Sequence, residues 1–210
     1  MSALLFSSYL PSIQYLTKFL KHENVLIERW EYFAKQTYRN RCYIYSANGI
    51  LSLTIPIQHG RSEHQIMKDV KIANDFNWQK IHWKSIESAY RCSPYFEFYE
   101  DDFISFYQKK YTHLVDFNHE LMQKIIALLK INKAIKFTSG YDDSCPEGII
   151  DHRSFIHPKK ERAKQDENFS PISYPQVFSD RHGFIPNLSI IDLLFNCGTS
   201  SPEVLKSSIL

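Results

Sequence analysis

The chain has 210 residues, 43% of them hydrophobic and 23% charged, with a formal net charge of +2. That length sustains a real core, and so small a net charge argues against a dedicated nucleic-acid binder. No apolar run reaches the length of a membrane span, and Cys42, Cys92, Cys145 and Cys197 lie too far apart for a zinc knuckle or a compact disulfide frame.

The opening MSALLFSSYL lacks the basic start and the apolar length of a signal peptide, so a cytoplasmic protein is expected. Ala3 to Phe6 reads as a short buried strand. Pro11 fits the first turn of a helix running to about His22, with Ile13, Leu16, Phe19 and Leu20 as its buried stripe. Asn24 to Ile27 then gives a β-α-β start and a parallel pair.

The segment KQTYRNRC, Lys35 to Cys42, comes next. It leads into a hairpin signalled by Asn48-Gly49 between Cys42 to Ser46 and Leu51 to Ile57. Met67 to Ile72 offers another strand. Asn77 caps a helix whose apolar face holds Trp78, Ile81, His82, Ile86, Ala89 and Tyr90. Asp101 to Tyr111 reads as an aromatic helix, and Asn118 as the cap of a further one carrying Leu121, Ile125, Leu128 and Leu129. Ile135 to Thr138 returns as a strand.

Periodicity then vanishes from Ser139 to Ser173, a stretch that is either functional or disordered. Order recovers at a capping box of Ser189 and Asp192 with a Leu188–Leu193 staple. Gly198 closes that helix, and Ser201-Pro202 opens a short last one. The expected fold is α/β: a central mixed β-sheet with a β-α-β start and a β-hairpin, a helical second half, and a long irregular loop over 139–173 before a C-terminal helix. A single domain over residues 1–210 is expected.

Two arginines flanking an asparagine make Arg39, Asn40 and Arg41 a candidate site for an anionic or hydroxylated ligand, since guanidinium forks bind carboxylates and phosphates in two-point geometry. Lys35 and Gln36 belong to the same cluster. The competing reading is a solvated strand edge. Tyr9, Gln14 and Tyr15 lie at the first strand-to-helix turn, the edge of an α/β sheet where ligands bind; core packing competes for Tyr15. His82, on an apolar helix face, is either a general base tuned by burial or a satisfied core histidine. DHRSFIHPK, with His152 and His157, is part of a lid or a polar surface loop. The adjacent pairs Asp101-Asp102 and Asp142-Asp143 read as capping residues, and no metal site or cofactor is expected.

Read in order, SSYLPSIQYLTKF, EYFAKQTYRNRC, NWQKIHWKSIESAY, SPYFEFYEDDF and HGFIPNLSIIDLLFNCG resemble the WbqC-like family, closest to its Bacteroidetes-type branch. Ser8-Tyr9-Leu10-Pro11 departs from the family's first block, keeping only Pro11 and Tyr15. The matched positions are Tyr9, Pro11, Tyr15, Arg39, Asn40, Arg41, His82, Tyr90 and Pro94. The resemblance implies a bacterial protein of surface-polysaccharide (O-antigen) biosynthesis, and transfer of glycine onto a sugar.

Together these readings give an expected transferase, acylating an amino sugar on a nucleotide or lipid carrier. His82, Arg39 and Arg41 are its expected catalytic residues. Tyr9, Gln14, Tyr15, Lys35, Gln36, Asn40 and Tyr90 are its expected substrate-binding residues. The activated acyl donor comes from outside the chain. A non-catalytic binder of a glycan precursor is the alternative.

Overall fold

The structure is a computed structural model, and it describes residues 1–58, 65–145, 147–159 and 161–210. Its frame is a four-stranded, all-parallel sheet ordered β5-β2-β1-β6, formed by β1 (Ser2–Phe6), β2 (Asn24–Glu28), β5 (Ile135–Phe137) and β6 (Ile149–Asp151). Helix α1 (Ile13–Lys21) connects β1 to β2, as parallel neighbours require. Alternation assigns the faces. Ala3, Leu5, Val25 and Ile27 are all buried on one face, while Leu4, Phe6, Leu26 and Glu28 share the other.

The hairpin is separate. β3 (Arg41–Ser46) and β4 (Gly49–Thr54) pair antiparallel with Ser46 opposite Gly49, so the expected mixed character is divided between two sheets. Gly49 has φ +93°, the conformation the Asn-Gly turn demands. The second half is helical: α2 (Trp78–Tyr90), α3 (Phe96–Gln108) and α4 (Leu114–Leu128), then α5 (Ser179–His182), α6 (Ile190–Cys197) and α7 (Ser201–Ser207). One apolar cluster runs from Leu5 and Phe6 through Tyr90, Phe96, Phe103 and Phe117 to Phe195 and Leu205.

Several local expectations are corrected. The cap of α1 is Ser12, whose hydroxyl accepts from the Tyr15 N–H, so Pro11 lies one residue outside the helix. Met67–Asp69 is a turn of 3₁₀ helix rather than a strand, pinned at Lys68 N to Arg29 O and Met67 N to Glu31 O. Ile81 is exposed on α2. α3 begins five residues before Asp101, and Asn118 is buried inside α4 instead of capping it. β6 forms within the segment read as irregular. Asp192 also leaves the expected capping box. Its side chain turns inward, while the Ser189 hydroxyl donates to Leu10 O.

The first turn is clamped from two sides. Tyr9 N–H donates to Tyr38 O, which draws the Lys35–Cys42 segment against it. Ile13 N to Leu188 O and Ile190 N to Pro11 O hold the segment before α6 on the other side, and Ser189 N reaches Tyr43 O on the hairpin.

Candidate functional site

Tyr9 leaves the carboxyl end of β1 and is fully buried. Its hydroxyl is 2.9 Å from both His82 Nδ1 and the Tyr107 hydroxyl, and its ring stacks on the imidazole at 26°. Burial drives the His82 pKa down to about 4, opposed by a hydrogen bond to the Thr54 backbone. The imidazole is therefore neutral at neutral pH, held by Tyr9 and by Thr54, and 4% exposed.

Arg39 is also enclosed. Its Nε and Nη2 donate to Glu31 Oε1 and Oε2 at 2.7 and 2.5 Å, the two-point geometry the fork favours, and its guanidinium lies 4.7 Å from the Phe6 ring centroid. Burial raises the Glu31 pKa, and the Arg39 charge opposes that. Arg41 diverges from Arg39, donating across the hairpin to the Thr54 hydroxyl at 3.0 Å. Asn40 donates to Ile55 O, and among the described residues nothing pairs with its buried Oδ1.

Lys35 and Gln36 are exposed, Gln36 with φ +59°. Tyr15 donates to Phe6 O at 2.6 Å inside the core. The Tyr90 hydroxyl donates to Asp192 Oδ1 and accepts from Tyr45 N–H, while Tyr174 and Gln176 bond the other oxygen of the same carboxylate. The ten expected site residues thus divide: Tyr9 and His82 meet, Arg39 and Arg41 part, and Gln14 reaches an opening.

That opening is a cleft of about 380 Å³ lined by Gln14, Tyr38, Tyr43, His157 and Asn187, among others. It lies where α1 begins, at the carboxyl edge of the parallel sheet, the position open α/β sheets offer to ligands. Gln14 and Asn187 bond reciprocally: Asn187 Oδ1 accepts from Gln14 N–H, and its Nδ2 donates to Gln14 Oε1. Tyr38 and Tyr43 meet edge to face with centroids 6.0 Å apart.

Beyond β6 the chain supplies the remaining wall. His152 sits 3.3 Å from His22, Nε2 to Nε2, and Asp166 accepts from Lys18 Nζ and Gln14 Nε2. Both ends of the loop between them are therefore fastened to α1. Inside that loop, His157 Nδ1 accepts from the Lys159 N–H, which puts the proton of the neutral ring on Nε2. Burial lowers its pKa, and the charges of Arg162, Arg39 and Lys159 push the same way. The cleft is thus lined by an imidazole, two amides and two phenols, with cations near the imidazole.

A family model described as "WbqC-like protein family" matches residues 7–152 and 146–204. The chain belongs to that family. It is 24% identical to "Uncharacterized protein Rv1507c" of Mycobacterium tuberculosis over 226 residues, covering 97% of this chain and 96% of that protein. No solved structure matches. Among the described residues, no group of three or more His, Cys, Asp or Glu side chains is arranged to hold a metal ion, and no helix is long and apolar enough to cross a membrane.

Asn187 lies inside HGFIPNLSIIDLLFNCG, one of the five blocks that resemble the family, yet sequence reasoning did not single it out. Tyr38, Tyr43, Glu28 and Glu31 were missed as well. The available signal was the density of polar side chains in EYFAKQTYRN, which does not say that Glu31 folds back onto Arg39.

Proposed function

We propose that this WbqC-like protein is a transferase of bacterial surface-polysaccharide biosynthesis, and that the cleft between Gln14, Tyr38, His157 and Asn187 receives the anionic end of a carrier-linked sugar. The reaction assigned is aminoacyl transfer, glycyl in the first instance, onto an amino sugar, with the activated donor supplied from outside. One observation carries the reading: His157 is fixed as an Nε2–H donor in a cleft at the sheet edge, with Lys159 and Arg162 close enough to shift its titration. Such a donor, with cations nearby, recognises phosphate or carboxylate oxygens. Gln14 and Asn187 orient hydroxyls. In this reading Arg39 acts through Glu31 to hold the cleft's inner wall, and His82 positions Tyr9.

A second reading, a non-catalytic holder of a glycan precursor, is favoured by the enclosure of His82, whose ring is engaged by Tyr9 and Thr54 and so offers no free base. Thermal-shift screening against nucleotide sugars, sugar phosphates and amino acids tests the site. A sugar bearing a phosphate or carboxylate raises Tm in the wild type, and His157→Ala or Gln14→Ala abolishes the rise. Mass spectrometry of the sugar after incubation with an aminoacyl ester then separates the readings. An aminoacylated product supports the transferase; binding with no product supports the holder. If no anionic sugar raises Tm, both readings fail.

A further inference from the structure

The hairpin supplies part of the cleft at the start of α1. Its register sets Tyr43 opposite Ser52 and Tyr45 opposite Ile50, so Tyr43 and Ile50 are diagonal neighbours on one face. Both line the cleft. Tyr38 joins them from the preceding segment with its backbone pinned: its carbonyl accepts from Tyr9 N–H at 2.9 Å and from the Ser8 hydroxyl at 3.3 Å.

Several other buried tyrosines spend their hydroxyls inside the protein. Tyr9 bonds His82, Tyr15 donates to Phe6 O, Tyr45 to Gly183 O, and Tyr90 and Tyr174 to Asp192. Tyr38 is 8% exposed and does not. Among the described residues neither its hydroxyl nor that of Tyr43 has a hydrogen-bond partner, and solvent still reaches the Tyr38 oxygen. A phenol so enclosed ordinarily has one. Burial, and the Tyr43 phenol beside it, raise the Tyr38 pKa, so its proton stays in place as a donor.

The chemistry of this wall differs from that of His157. A phenol donates and accepts at once, as a sugar hydroxyl does, and among the described residues no Asp or Glu lines the cleft. Ile50, 58% exposed, adds apolar surface together with Pro158 and Pro186. A pyranose matches that mixture, with hydroxyls around its rim and C–H groups on its faces. A bare phosphate has no use for the apolar part. The imidazole N–H therefore suits the anion, and the tyrosines with Ile50 suit the ring.

We propose that Tyr38 and Tyr43 form the sugar-ring subsite of this cleft, their phenol hydroxyls bonding hydroxyls of the ring while Ile50 and Pro186 cover a C–H face. The proposal rests on the reading of the cleft as the site of a sugar-linked anion, and adds which side chains recognise the sugar. Calorimetric titration of the full chain with glucosamine 1-phosphate and, separately, with inorganic phosphate tests it. The wild type binds the sugar phosphate more tightly than phosphate. Tyr38→Phe and Tyr43→Phe each weaken the sugar phosphate about three- to tenfold and leave phosphate unchanged. Neither substitution lowers Tm, since neither hydroxyl is bonded inside the protein, whereas His157→Ala weakens both ligands. A sugar phosphate bound no more tightly than phosphate, or bound equally well by both Phe variants, overturns the subsite and leaves the anion cleft standing. Equal loss of the two ligands in the Phe variants also overturns it, because the hydroxyls then serve the anion. If neither ligand binds, the reading of the cleft falls and the subsite with it.

Discussion

Tyr9 and His82 lie 73 residues apart in the chain and share a 2.9 Å hydrogen bond in the core, with the Tyr107 hydroxyl as third member. The bond fastens the first strand-to-helix turn to α2. Tyr9→Phe keeps the ring and deletes the oxygen, stranding His82 Nδ1 and the Tyr107 hydroxyl away from water. A loss of about 1–3 kcal/mol in urea-unfolding free energy is expected. An unchanged midpoint would remove the bond from the forces holding that turn.

The same imidazole makes stability depend on pH. Its folded pKa, about 4, lies below the ordinary 6.5, so the folded state binds fewer protons than the unfolded one between those values. Stability is therefore complete above about pH 6.5 and falls as pH drops toward 4, by about 3 kcal/mol from His82 alone. His152, likewise pushed to about 4 by burial and by Lys18, adds in the same direction. Chemical denaturation at a series of pH values reads the slope, which His82→Gln should flatten.

Arg39 and Arg41 are two residues apart and are expected to behave differently. Arg39→Ala leaves the Glu31 carboxylate buried without its fork and costs about 3–5 kcal/mol. Arg41→Ala removes one exposed contact to Thr54 and changes stability by no more than about 0.5 kcal/mol. Equal losses in thermal melts of the two variants would contradict the buried pairing.

Gly198 ends α6 with φ +56°, and a Cβ added there would lie 2.4 Å from the Tyr95 ring. Gly198→Ala combines backbone strain with a collision against a packed aromatic. A loss of more than about 1 kcal/mol is expected, visible as a lowered Tm. Tyr95→Ala in the same chain should relieve the steric part.

The sequence made the periodic parts legible. Leu16 and Phe19 on α1, Leu53 on β4 opposite Cys42, and Ile125 on α4 are buried where spacing put them. What it hid were polar groups whose partners come from far along the chain. Asp192 has the local look of a capping residue, yet three donors, from Tyr90, Tyr174 and Gln176, draw it inward and outweigh one exposed cap bond. Arg39 looks like a surface fork until Glu31 folds back on it. Met67–Asp69 closes as a turn of 3₁₀ helix between isolated bridges, Ile66 to Tyr32 before it and Lys71 to His113 after it. The cleft depended on Asn187 and His157 arriving at α1 from beyond residue 150, which no local pattern announces.

β6 pairs with β1 across the length of the chain, Ala3 beside Ile150. On a ribosome, β1 is made well before its neighbour on that side, which follows α4 and β5 in the chain. The strand must therefore wait with one edge bare while the helices between are synthesised, and the sheet closes only when most of the polypeptide is available. A nascent chain stalled before Ile149 carries an unpaired parallel edge, the kind of surface that holdase chaperones recognise. Closure of this edge by a strand of three residues thus has to follow synthesis of the three long helices α2, α3 and α4.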